Sequence, residues 1–423
     1  MEYDKEVFSD PKRGESQVEK MLGIQWNLKT DCISALPQYN VYGSARGKIL
    51  GPNLTDMADE EIKNLVISRL LWLRVCAQSY SRLGNLLAPV IMSCKVLASR
   101  SCELSSTEEM EVDLTSRDPE FVEVSRNFLL NLKMIQDQVQ PFPRALVPEG
   151  HKLVGFVMAQ DGGRPGFGGL CHSLACDGGE KLYRNVILGR SRVAKRNIPS
   201  HEIMAGRLAS TGLHTILEPL LFDHKEAALE IINLSDSTCS LCLLNPGLKI
   251  KNVLIANSVD AWKDGLCKLS VLFPNSTISV GFIRGESNPS DYCSKFFPDS
   301  RQVLNSTLYR MGPEKYDRLD NIKSDIVATF KNGEFTFYGL KPALIGIKDK
   351  DDSSENCELC LEEKEFCGLA LTRNQKKMND EEDKRAKYEM DNLSKQNIQL
   401  PKYPHWRGMY SKMSTFGTAE LYG

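Results

Sequence analysis

The chain has 423 residues, of which 41% are hydrophobic and 26% charged, with a formal net charge of −2. That composition supports a sizeable core and two to three domains, and it excludes a globally basic nucleic-acid binder and a low-complexity chain. No run of 18 apolar residues occurs, and the N-terminus Met1-Glu2-Tyr3-Asp4-Lys5 has no apolar signal core, so a cytoplasmic or nuclear protein is expected rather than a secreted or membrane one. The 13 cysteines are scattered and odd in number, which suits free thiols in a reducing compartment.

In chain order, residues 1–19 are polar and read as a frayed end. Residues 20–36 predict two short strands turned at Asn27–Asp31, and residues 59–100 two helices broken around Ser81–Asn85. A Ser/Thr/Glu-rich linker over 101–119 precedes an amphipathic helix over 120–137, where Phe121, Val124, Phe128, Leu129, Leu132 and Ile135 recur near helical spacing. A denser region follows. Strands are predicted at 153–159, 167–175 and 184–192, with a turn from Gly162 to Gly166. Pro199 opens a helix to about Leu217. A strand at 228–234, helices at 237–245 and 250–272, a strand at 277–283 and a short helix near Pro289 complete a mixed α/β layer fold. Past about residue 300 the pattern weakens, and 374–398 is charged with little apolar stripe. The domain reading is therefore 20–150, 151–300 and a poorly defined 301–423.

Four acids fall at element ends. Asp161 closes the first strand of the α/β region, Glu202 lies in the first turn of the Pro199 helix, Asp236 closes the 228–234 strand, and Asp291 begins the last helix. Each has an ordinary structural role open to it. Asp236 can cap a helix, Glu202 and Asp291 can complement a helix dipole, and Asp161 can serve a hairpin turn. Brought to one sheet edge, however, the four would repel unless cations lay between them. Two hard divalent ions, Mg²⁺ above all, would resolve that repulsion and clamp an in-line phosphoryl displacement. The stripe Glu202, Gly206, Ala209 recurs about once per turn, so small residues are expected to let that helix lie close to the sheet. Residues 181–196 carry Lys181, Arg184, Arg190, Arg192, Lys195 and Arg196 with no acid among them. They read equally as a solvated sheet edge or as phosphate contacts.

The segments GFVMAQDGGRPGFGG, VILGRSRVAKRNIPSHE, EIINLSDSTCSLCLL and GFIRGESNPSDYCSK resemble the four ribonuclease H blocks of BEL/Pao retrotransposon polyproteins. Asp161 followed by Phe167-Gly168, Ser191-Arg192-Val193 with Ile198-Pro199-Ser200-His201-Glu202, Ser235-Asp236-Ser237-Thr238 and Asn288-Pro289-Ser290-Asp291 match those blocks in order. MLGIQW (21–26) is similar to the hairpin after the polymerase palm, and residues 79–100 to the thumb or connection segment. The resemblance covers about residues 20–300. It implies a reverse transcriptase tail, a mainly helical connection, and a ribonuclease H-like five-stranded mixed sheet flanked by helices. It further implies two Mg²⁺ ions on Asp161, Glu202, Asp236 and Asp291, hydrolysis of the RNA strand of an RNA/DNA hybrid, and polymerase or integrase portions as partners.

The departures from that family are specific. No Tyr-x-Asp-Asp polymerase motif and no Asp-Thr-Gly or Asp-Ser-Gly protease motif occurs, so neither polymerase nor protease activity is expected. The loop Arg284-Gly285-Glu286-Ser287 lacks the histidine many such nucleases place near the last aspartate, and His201 is a weak substitute. Cys357, Cys360 and Cys367 supply three of the four ligands a tetrahedral zinc site needs, so Zn²⁺ ranks well below Mg²⁺. The rival reading is a retroelement remnant that binds nucleic acid or protein without cleaving it.

Overall fold

The computed structural model describes residues 18–21, 24–35, 39–45, 48–49, 51–79, 84–194, 198–224 and 227–341, which belong to one compact unit. The N-terminal part is built on three helices: α1 (Arg69–Gln78), α2 (Ala88–Leu104) and α3 (Pro119–Lys133). Ser68 caps α1 by accepting from Leu71 N at 3.2 Å, and Asp118 caps α3 by accepting from Phe121 N at 2.9 Å. Trp72 on α1 is fully buried and donates through Nε1 to Ser125 Oγ on α3 at 3.1 Å. The short strands Ile24–Asn27 and Cys32–Ala35 pair as an antiparallel hairpin, as the sequence predicts.

A seven-stranded mixed sheet forms the rest. Its strands are β1 (Lys152–Gly162), β2 (Gly166–Cys176), β3 (Tyr183–Val193), β4 (Glu230–Ser235), β5 (Thr277–Phe282), β6 (Ile326–Lys331) and β7 (Glu334–Phe337). They lie in the order β7-β6-β5-β4-β1-β2-β3. β4 alone has parallel neighbours on both sides, β1 on one and β5 on the other. Near-continuous apolar runs on β1 and β4 reflect burial on both faces, the usual state of central parallel strands.

The expected five strands are thus corrected to seven, and the sheet does not end near residue 300. Residues 326–337 supply Val327, Ala328 and Phe330 to the core, turned by Asn332 and Gly333, both at positive φ (52° and 82°). An Asn-Gly pair between apolar strands is a strong hairpin signal, and this one lies in the sequence. The hairpin covers β5, which would otherwise be an open edge.

One face of the sheet carries α4 (Ile198–His224) and α6 (Val253–Leu272), joined to β4 through the short α5 (Thr238–Cys242). Phe156, Met158, Leu213, Leu217, Trp262, Leu266 and Phe273 form the core between them. Trp262 Nε1 donates to Asn233 Oδ1 at 2.9 Å, and Asn233 Nδ2 donates to Met158 O at 2.9 Å, so a buried polar chain fixes α6 to the two central strands. Gly206 serves this helix pair rather than the sheet. A Cβ there would lie 2.5 Å from the Trp262 ring, which corrects the expectation for Gly206, whereas Ala209 does lie against the sheet beside Gly169.

The helical part rests on β3 and on α7 (Asp291–Ser294). Lys95 Nζ on α2 donates to Ser191 O at 2.8 Å, Ser93 Oγ to Phe297 O at 3.2 Å, and Tyr309 Oη to Leu86 O at 2.7 Å. Among the described residues no helix is long and apolar enough to cross a membrane.

Candidate metal centre

The parallel register sets Ser235 beside Gln160, so Asp161 and Asp236 follow as neighbours at the C-terminal ends of β1 and β4. That edge of a parallel sheet is where helices begin and ligands collect. Helix α4 starts there too. A Cβ on Gly162 would lie 2.4 Å from Glu202 N, so the absence of a side chain on Gly162 lets the first turn of α4 touch the strand end. Gly168 plays the matching part for α7, since a Cβ there would lie 2.5 Å from Cys293 Cβ.

Asp161, Glu202 and Asp236 each present a carboxylate oxygen, and the three atoms lie within 4.8 Å of one another. Asp161 is 4% exposed and Glu202 8%. Glu202 Oε2, Asp236 Oδ1 and Asp291 Oδ1 are buried with no hydrogen-bond partner. A carboxylate is an acceptor only, so these oxygens call for protons or cations. Burial pushes the Glu202 carboxyl up to about 9, helped by the charges of Asp161 and Asp236 and partly offset by a backbone hydrogen bond from Gly162. Burial likewise raises Asp161 to about 6, against a hydrogen bond from Ser294. Asp236 is raised by burial, with Asn288 pulling the other way. This donor set of hard oxygens, crowded and short of donors, fits a divalent cation such as Mg²⁺ or Mn²⁺.

Asp291 stands apart. Its Oδ2 is 2.5 Å from Lys295 Nζ, and it is outside the close trio, although its charge acts on the other three acids. Two further residues frame the site. Ser294 Oγ donates to Asp161 Oδ2. Asn288, 1% exposed, donates through Nδ2 to Gln160 O at 3.0 Å while its Oδ1 accepts from Ser290 N at 3.1 Å. Ser294 and Lys295 lie three and four residues beyond Asp291, the spacing of one helical face, and that signal was available to sequence reading.

No protein-family model matches the chain, and no curated protein matches it. Among solved structures it is similar to the N-terminal RNase H domain of a Mycobacterium tuberculosis protein, determined as a fusion with maltose-binding protein. The identity is 15% and the TM-score 0.23, over 36% of this chain and 96% of that one. A likeness that slight transfers no chemistry.

The basic strip divides. Arg184 is buried at 8% exposure, donates to Pro313 O at 2.8 Å and pairs with Asp317, so it is a core cation and not a phosphate ligand. Arg190 is half-buried and donates to Thr215 Oγ1 on α4 at 2.7 Å. Arg192 is exposed, and Lys195 and Arg196 lie outside the described residues. His201 is fully buried, with Nδ1 donating to Gly163 O at 2.7 Å, so it pins the β1–β2 turn rather than replacing a proton shuttle. Cys357, Cys360 and Cys367 also lie outside the described residues.

Proposed function

We propose that residues 152–337 form a ribonuclease H-like nuclease of BEL/Pao retroelement type, cleaving the RNA strand of an RNA/DNA hybrid with two Mg²⁺ ions. The observation that carries this reading is the trio of carboxylates from three separate elements, Asp161 and Glu202 buried and Asp236 half-buried, whose oxygens lie within 4.8 Å of one another, with Glu202 Oε2 and Asp236 Oδ1 left partnerless. The four sequence blocks that suggest the family supply those same residues.

In this reading Asp161, Glu202 and Asp236 hold the metal, with Asp291 as the fourth acid. Bound divalent ions supply Lewis-acid activation of water and charge neutralisation at the scissile phosphate. The protein's part is positional. Gly162 brings Glu202 onto the strand end, Ser294 orients Asp161 through its Oδ2, and Asn288 ties the β5–α7 loop to β1. Arg192 is an exposed cation of the strip, placed to meet hybrid phosphates, and RNA selectivity would come from contacts to the 2′-hydroxyl.

The test is cleavage of a labelled RNA/DNA hybrid by the purified chain in Mg²⁺ and in Mn²⁺, beside Asp236→Asn. Cleavage of the RNA strand by wild type and not by the variant is expected. A folded wild type that cleaves nothing in either metal overturns the nuclease reading, and hybrid affinity retained without cleavage would then identify a binding remnant.

A further inference from the structure

We propose that Lys295 is a resident counter-cation of the carboxylate site, holding Asp291 out of the metal's ligand set until a divalent ion displaces it. The inference rests on the metal-site reading above.

Three observations carry it. First, Asp291 is the one acid of the four engaged in an ion pair among the described residues, with Lys295 Nζ at 2.5 Å from its Oδ2, and it is also the one missing from the trio whose oxygens lie within 4.8 Å. Second, the stem of the lysine is backed by the β1–β2 turn, and from there its charge reaches two of the three clustered acids. A Cβ on Gly163 would lie 3.5 Å from Lys295 Cγ and 3.1 Å from Ser294 O, so the β1–β2 turn rests against its stem. Its charge acts on Asp161 and Asp236 as well as on Asp291. Third, the side chain is 47% exposed, so the ammonium has an outlet to solvent and can leave without unfolding anything.

The consequence is competition. An ammonium next to a carboxylate cluster lowers its self-repulsion when no metal is bound, and it repels an arriving divalent ion for the same Coulombic reason. Asp291 Oδ1 is buried and partnerless while Oδ2 is tied to Lys295, so metal recruitment of Asp291 requires the tethered carboxylate to turn toward the trio, which loosens the Lys295–Asp291 pair. Lys295 is therefore a positioning residue that sets the threshold for metal binding.

The experiment is calorimetric titration of the full chain with Mn²⁺, comparing wild type, Lys295→Met, Lys295→Arg, Asp291→Asn and the Lys295→Met/Asp291→Asn double variant, each checked for folding by circular dichroism. Lys295→Met is expected to bind Mn²⁺ on the order of tenfold more tightly, since one nearby positive charge is removed and one carboxylate released. Lys295→Arg keeps the pair and stays near wild type. In the Asp291→Asn background the gain disappears, because it is delivered through that carboxylate. Unchanged or weaker binding by Lys295→Met overturns the proposal, as does a gain that persists without Asp291, which would make the lysine a field effect on Asp161 and Asp236. Saturable Mn²⁺ binding by wild type in those cases leaves the metal-site reading intact. Absence of Mn²⁺ binding in both wild type and Lys295→Met overturns both together.

Discussion

Gly162 and Glu202 are in contact through their backbones: a Cβ on the glycine would sit 2.4 Å from the glutamate amide nitrogen and 2.9 Å from its Cα. The end of the first central strand and the start of the long helix occupy the same corner, and the carboxyl of Glu202 reaches Asp161 because nothing separates them.

Gly162→Ala should therefore damage the site more than the fold. The added methyl meets backbone, which cannot rotate away, so the α4 start must shift. A stability loss of about 1–3 kcal/mol is expected from such overpacking. Mn²⁺ affinity should fall by a larger factor than that of a control substitution of equal stability cost far from the sheet edge. Thermal denaturation and metal titration on the same samples check this.

The metal-free protein should lose stability as pH rises. Glu202 is raised from 4.5 to about 9 and Asp161 from 3.8 to about 6, so the folded state binds protons that the unfolded state has released. The contribution is complete below about pH 4 and is lost as pH climbs through the folded values, with a slope of up to about 1.4 kcal/mol per pH unit for each group. Glu202→Gln should flatten the stretch between pH 6 and 9 in urea denaturation. Mn²⁺ affinity of wild type should rise over the same range, because the proton on Glu202 has to leave.

Arg184 and Arg192 should separate cleanly. Arg184→Ala strands Asp317 and the Pro313 carbonyl, and about 1–3 kcal/mol of stability should be lost. Arg192→Ala should leave stability within about 0.5 kcal/mol of wild type, as exposed substitutions do. On the nuclease reading it weakens hybrid binding and lowers its salt dependence. Filter binding at two salt concentrations beside thermal denaturation distinguishes the two.

A chain ending at residue 300 should not fold. It would lose β6 and β7, open the edge of β5, and remove Tyr309, Tyr316, Ile322, Val327 and Phe330, all buried to within 1%. Circular dichroism and a dispersed NMR spectrum from residues 1–341, set against their collapse in residues 1–300, would verify that the later strands belong to the core.

Much of this was written in one dimension. The alternation and caps placed the central strands within a few residues of their observed limits, and the acids at element ends marked which residues could meet. The Asn332-Gly333 turn of the last hairpin also lies in the sequence, but the weak pattern past residue 300 hid it. What escaped reading was partnership. Nothing in the basic run 181–196 distinguishes Arg184, which turns inward to Asp317, from Arg192, which faces solvent, because strand alternation alone does not say what covers each face. Gly206 looked like a sheet contact and instead receives Trp262 from a helix more than fifty residues later.

Periodicity and side-chain chemistry are local properties, so the mixed α/β elements and the residue types able to hold a hard cation are legible along the chain. The convergence of three of the four acids, and the pairing of the fourth with Lys295, arise in the folded molecule. That outcome depends on strand register, on glycine-permitted close approach and on desolvation, which arise when segments far apart in the chain share one buried volume.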